Sequence, residues 1–285
     1  MTYKKRSLKF QFKLKSGAFD EKGNDTLTID NIKAEVEIGA YGGDAGTNLD
    51  ARIFGLSRAL MSKLSYKGVQ VNGAQQNMMK VWADDQPIFI GSITECSCDF
   101  NQMPDAPLII SGFATGFDQS IPAQPFSAKG SVDAADIVNS IAKSINYVVV
   151  NNGVSFKLSN PYFDGNPVEQ IMKVARACGF NVDVRIGVVF IWTQTGPVDD
   201  IKPLISKETG LIGYPVFNRF GVRFQCTFSN LIVLGRRIQL DTSLENASGN
   251  YTITSAIHHL SSWTEGGPWM SIVQASPAQL LPIRQ

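Results

Sequence analysis

Few residues in this chain are suited to chemistry. Its two histidines, His258 and His259, are neighbours in an alternating apolar segment. Adjacent strand residues point to opposite faces, so the pair cannot readily chelate one ion or share one active site. A single histidine acting as a general base would need a nucleophile elbow or a partner carboxylate, and the sequence marks neither. Paired acids stand at Asp84-Asp85 and Asp199-Asp200. Two carboxylates roughly 5 to 10 Å apart in a cleft would suit glycoside hydrolysis. Both pairs lie near prolines and polar residues, where Asp favours turns, and a turn is the expectation for each.

The remaining candidates are structural by their spacing. Cys96, Cys98, Cys178 and Cys226 lack the Cys-x-x-Cys spacing of zinc or redox sites and are expected to be reduced, mostly buried thiols. Gly42-Gly43-Asp44-Ala45-Gly46 has no Lys-Ser/Thr after it, so it reads as a flexible loop and not a phosphate cradle. Trp263 and Trp269 flank a Gly-Gly-Pro turn, where they could meet a sugar or a partner, or cap the end of a barrel. No catalytic, cofactor-binding or metal-ligating residue is assigned, and no cofactor is expected.

The chain has 285 residues, 44% of them hydrophobic, with a net charge of +1. That is room for two or three compact domains, and the charge argues against a dedicated nucleic-acid binder. Lys4, Lys5, Arg6, Lys9, Lys13 and Lys15 all precede the first acid, Asp20. This basic run is read as a solvated strand face that discourages edge pairing, in preference to a polyanion contact. No run approaches eighteen apolar residues, so no membrane insertion is expected. The N-terminus lacks the apolar core of a secretory signal, which predicts folding in a cytoplasm.

Most of the chain reads as strands. Leu8, Phe10, Phe12 and Leu14 alternate with polar residues, and further strands are predicted over Ile32–Ile38, Ala51–Leu56, Met78–Trp82, Ile88–Cys98 and Leu108–Ala114. Tyr41–Asn48 is assigned to a loop, and Ser57–Leu64 to a short helix. These six strands and one helix make a first module ending near Gln119. After Pro122, Pro125 and Gly130, two segments match without a gap, Val138–Val149 on Ile171–Val182. Each has an N-cap signal, at Asp133 and at Asn166-Pro167, and a residue tolerant of left-handed backbone past its end, Asn146 and Gly179. Each helix is predicted to feed a hairpin, Tyr147–Val150 into Val154–Leu158 and Phe180–Val184 into Val188–Trp192. Two copies followed by strands do not fit an ankyrin array, despite the ankyrin-like spacing.

From Ser206 to Pro277 the alternation returns, with strands at Val222–Phe228, Arg237–Leu240, Tyr251–His258 and Trp269–Ala275. Short strands and turns over about seventy residues suggest a small barrel or sandwich. The chain uses this module twice. Ile93-Thr94 and Ile253-Thr254 each precede a polar turn and then, at nearly equal spacing, a strand-opening proline, Pro107 and Pro268.

Gly221–Cys226, the run Leu234-Gly235-Arg236-Arg237-Ile238-Gln239-Leu240, and Gly249–His258 followed by Trp269–Ala275 resemble the C-terminal stretch of the central hub proteins of contractile-tail phage baseplates. The resemblance covers nearly the whole chain in element order. It implies a mainly β fold with an α+β insert: two tail-tube-like small β-barrel modules (1–122 and 204–285) flanking a duplicated helix-hairpin region (123–203). It further implies a structural virion protein and not an enzyme, a homotrimer joining the hexameric tail tube to the trimeric spike around a channel for DNA. The partners implied are the tube, the spike and other baseplate wedge proteins, with assembly in the host cytoplasm. A monomeric carbohydrate- or protein-binding module using Trp263 and Trp269, and a cell-wall hydrolase, are the alternatives.

Overall fold

The computed structural model describes residues 5–68, 76–115 and 122–278. Lys4 and the expected first-module end at Gln119 lie outside them. The N-terminal strands are β1 (Leu8–Lys13), β2 (Thr26–Ile29), β3 (Ala34–Gly42), β4 (Gly46–Ile53), β5 (Met78–Ala83), β6 (Gln86–Ser97) and β7 (Leu108–Phe113). One helix, α1 (Arg58–Leu64), interrupts them, capped by the Ser57 hydroxyl, which accepts from the Leu60 amide. The inward residues of β1, β3, β4, β5, β6 and β7, with Met61 and Leu64 of α1, form one buried cluster. One sheet face can close on a single cluster only if the sheet curls around it, as in a barrel.

Two expectations for this module need correction. Tyr41–Asn48 is not a loop: β3 runs to Gly42, β4 starts at Gly46, and a single tight turn joins them. Gly42, Gly43 and Gly46 all have positive φ (69°, 55° and 56°), so the glycines bend the chain sharply within strand geometry. Nor is the basic first strand an edge. β1 lies between β5 and β2, a four-residue strand too short to stand out by periodicity.

The insert holds β8 (Phe126–Ser127), β9 (Ser131–Asp133), α2 (Ala134–Ser144), β10 (Val148–Asn152), β11 (Lys157–Ser159), β12 (Tyr162–Phe163), α3 (Pro167–Cys178), β13 (Phe180–Arg185) and β14 (Val188–Thr193). The helices begin at Ala134 and Pro167, in the same register as the matched segments. Asn146 (φ 59°) and Gly179 (φ 70°) both take left-handed backbone, as their positions require. Asn166 and Glu169 close a capping box on α3. The second hairpin forms, β13 with β14. The first does not: β10 lies parallel to β14, and β11 returns to β9. Asn151 supplies the reason. Its side-chain amide bonds both the N–H and the C=O of Val154, the groups a hairpin ladder would have used. Both helices pack on the resulting three-stranded sheet in a second core.

The C-terminal strands are β15 (Leu204–Ile205), β16 (Leu211–Asn218), β17 (Gly221–Thr227), β18 (Arg237–Leu240), β19 (Gly249–Ser262) and β20 (Trp269–Pro277), around a third core. Their order, β16-β17-β20-β19-β18-β15, repeats the first module's β3-β4-β7-β6-β5-β1 strand for strand. The last pairing in each order differs, β15 being parallel to β18 where β1 is antiparallel to β5. The repeat extends to a defect in the ladder. β6 bulges against β7 between Ile93 and Glu95, and β19 bulges against β20 between Ile253 and Ser255. The residue bulged out is threonine each time. Thr94 Oγ1 donates to the Ser111 carbonyl (3.0 Å) and Thr254 Oγ1 to the equivalent Gln274 carbonyl (3.2 Å).

The modules are not separate sheets. β19 also pairs with β3, Ala256–Ser262 against Ala40–Ala34, so one ladder runs through both. Replacing either bulge threonine by valine keeps the shape and removes the hydroxyl bond. Thr94→Val and Thr254→Val should each lower stability by about 0.5–1 kcal/mol in urea unfolding, and by similar amounts.

Candidate functional site

Residues chosen for chemistry turn out to hold the parts together. His258 and His259 point to opposite faces of β19, as adjacent strand residues must. The His258 ring is buried, with Nδ1 2.7 Å from Ser271 Oγ and the ring edge-on to Phe228. Burial, aided by the neighbouring His259, pulls its pKa down to about 4. His259 sits across from Glu37 of β3, 3.3 Å from its carboxylate, on the seam between the modules. Asp84 and Asp85 form the two-residue turn of the β5–β6 hairpin, both with positive φ, as a type I′ turn demands. Asp199 is more than a turn residue. It accepts the forked guanidinium of Arg236, most of which is buried.

Arg236 belongs to a junction of three parts. Trp192 of β14, Val198 and Leu234 form a small apolar cluster. Gly235 lies directly beneath the Trp192 ring, where a Cβ would stand 2.6 Å from a ring carbon, and its φ of 77° favours glycine. Gly42 of the β3–β4 turn closes on Leu234 in the same way. Beside them Asp183 is buried 3.1 Å from Arg185, without hydrogen-bond geometry to its carboxylate. Burial raises the Asp183 pKa, and Arg185 opposes the shift. The run Leu234-Gly235-Arg236 is therefore the joint between the insert and both modules.

Cys96 and Cys226 are buried, Cys98 and Cys178 half-buried, and all four are free. Burial pushes the Cys96 and Cys226 thiols up to about 12, which keeps them unreactive. The basic N-terminal strand is satisfied within the chain. Lys5 lies over Trp263 (3.9 Å to the ring centroid) and Arg6 over Trp269 (5.2 Å), while Arg6 pairs with Asp84 and Lys9 with Asp85. The two tryptophans thus tie the residues leading into β1 to the β19–β20 hairpin. Among the described residues no three His, Cys, Asp or Glu side chains group as a metal site, and no helix is long and apolar enough to cross a membrane.

What remains unspent is a strand edge. β16 pairs with β17 on one side and with no strand on the other among the described residues. Tyr214, Val216 and Phe217 are 68%, 63% and 52% exposed, and Phe220 at the hairpin tip is exposed as well. An apolar, unpaired edge is a template for pairing with another chain. Sequence reasoning missed this strand, because Gly213 and Pro215 break its alternation at a ladder irregularity. The apolar Tyr214–Phe217 run before a turn at Asn218–Phe220 was the available signal.

This arrangement is the fold of phage tail proteins. A tail protein from Neisseria meningitidis aligns over 94% of this chain and 96% of its own, at TM-score 0.65 and 11% identity. The prophage MuSo2 tail protein of Shewanella oneidensis aligns over 95% and 97%, at 0.62 and 10%. The E. coli c3393 protein, a type VI secretion component described as structurally similar to T4 tail proteins gp27 and gp5, aligns over 86% and 73%, at 0.58 and 11%. No curated protein matches by sequence. Residues 63–266, most of the chain, match the model of the baseplate hub gp41 family, and the chain belongs to that family. It is a structural baseplate or tail component of a phage or a related system.

Two outcomes follow from these geometries. As pH falls from about 6.5 to 4 the unfolded chain protonates His258 before the folded chain does. Stability should be flat in this term above about 6.5 and fall by roughly 3 kcal/mol by pH 4. Urea midpoints across that range measure it, with His258→Leu flattening the slope. Gly235→Ala should destabilise by about 2 kcal/mol or more, from the left-handed backbone and the Trp192 clash together. A melting temperature unchanged by that substitution would contradict the joint.

Proposed function

We propose that the chain is the central hub of a baseplate, a homotrimer that joins a hexameric tail tube to a trimeric spike and encloses a channel for DNA. The observation that carries this reading is the repetition of strand order and threonine bulge in two modules of one chain. Three copies would present six similar modules in a ring, a pseudo-sixfold face for the tube on a truly threefold body for the spike. The proposed division is 1–122 and 204–285 for the modules and 123–203 for the insert, in keeping with the three separate cores. Tube, spike and wedge proteins are the proposed partners, met during assembly in the host cytoplasm, and the chain itself performs no catalysis. The internal pairing of Trp263 and Trp269 with Lys5 and Arg6 leaves them poorly placed to stack on a sugar.

Antibody raised to the purified protein, gold-labelled on tail particles from the cells that encode it, tests the reading. Label confined to the baseplate end, with no complete tails after deletion of the gene, is the expected result. Complete tails assembled without the protein would overturn it.

A further inference from the structure

The insert meets the modules with one face of its three-stranded sheet. Val182, Val184, Val189 and Ile191 point into the insert core, under the helices. Alternation therefore sends Asp183 of β13, Phe190 and Trp192 of β14, and Val148 and Val150 of β10 to the other face. The modules cover only one end of it, where β13 packs on the β3–β4 turn and Trp192 on Gly235. Val150, Phe190 and Asp183 stand in one row across the sheet. Yet Asp183 is 1% exposed, while Val150 and Val148 are 42% and 65% exposed. The charge is inside and the valines are outside, the reverse of what transfer from water favours.

The covered end is also poorly satisfied. Neither Asp183 oxygen accepts a hydrogen bond, although Arg185 lies 3.1 Å away, and Arg237 Nε is buried without a partner. Native proteins leave few such groups, and each calls for an explanation. No strand of the insert pairs with a strand of the modules among the described residues, so no ladder holds the parts together. The fastenings are local ones. Arg236 forks onto Asp199, the Val198 amide donates to the Gly235 carbonyl (2.9 Å), and the Asn152 side-chain amide donates to the Pro197 carbonyl (2.7 Å). Separate cores lie on either side of these few bonds.

We propose that this joint is a latch built to open, with the insert leaving the modules as one unit while all three cores stay intact. The Arg236–Asp199 fork and the Trp192–Gly235 contact hold it shut. The buried Asp183–Arg185 pair works against them, because both charges regain water when the joint opens. Opening also bares the covered end of the sheet face. Trp192 and Phe190 then join Val148 and Val150 in one continuous apolar surface. The latch concerns motion within one chain and stands apart from the hub reading.

Residue-resolved hydrogen exchange on the full chain tests the latch. The Val198 amide reports the joint, and the Val174 and Phe224 amides, within α3 and β17, report the cores on either side. In the wild type Val198 should be at least about tenfold less protected than either core amide. Its exchange should also depend less steeply on urea, since a partial opening exposes less surface than unfolding. Replacing both members of a buried ion pair by apolar residues removes its cost without leaving a lone charge. Asp183→Leu with Arg185→Met should therefore slow Val198 exchange at least about tenfold and leave the core amides unchanged. Arg236→Gln, which removes the fork, should quicken it by a similar factor. Far-UV circular dichroism checks that each variant folds; if the double variant does not, the urea dependence of the wild type and Arg236→Gln decide. A Val198 amide that exchanges only together with the cores, at their full urea slope, would overturn the latch. So would a folded double variant as fast as the wild type, or an Arg236→Gln protein no faster.

Discussion

Everything in this molecule hangs on the hydrogen-bond ladder of β19. Its fourteen residues extend roughly 45 Å at strand rise. One edge is taken by β20, and the other first by β18 and then by β3. Its inward side chains serve two cores, Tyr251, Ile253 and Ala256 the C-terminal one and Leu260 the N-terminal one. A regular strand could not do this from one face with this sequence. Tyr251 and Ile253 are at odd positions, while Ala256, His258 and Leu260 are at even ones. The bulge at Thr254 corrects the parity, so that all five stay buried. Without that extra residue, one core or the other would receive the polar face.

The cost of such a strand is polar burial at its midpoint. His258 sits in the seam without charge, satisfied by Ser271, and the ion pair of His259 with Glu37 stays on the wetter side. A second set of charges, Arg236 with Asp199 and Arg185 with Asp183, sits where the insert meets the modules. Burying Asp183 beside Arg185 with no hydrogen bond to its carboxylate costs stability, whereas the forked Arg236–Asp199 pair has the geometry to fix how the insert meets the modules.

Much of this was legible in the sequence, for physical reasons. Helix ends were read from Asp133, Asn166, Asn146 and Gly179 because capping is local chemistry. The Ile-Thr repeat was visible because a bulge constrains residue type where it occurs. The fold class followed from period-two alternation, which survives at β1, β17 and β18 almost to the residue. The losses were equally physical. Glycines that suggested a loose loop at Gly42–Gly46 make a tight turn, since the sequence does not say whether freedom of φ is used for mobility or for a bend. The failed hairpin at Asn151 turned on one side chain outcompeting a backbone ladder. β16 was lost because its strand is irregular and its outer edge has no partner among the described residues, so tertiary burial never imposed a clean alternation on it.

If two modules of one chain are quasi-equivalent members of a ring, the assembly must show it in projection. Negative-stain averages of the purified assembly, viewed down its axis, test this most directly. Six similar lobes around an open hole, in a particle with the mass of three chains, are the expected result. A compact particle without a hole, or a ring whose lobes are not two per chain, would contradict it.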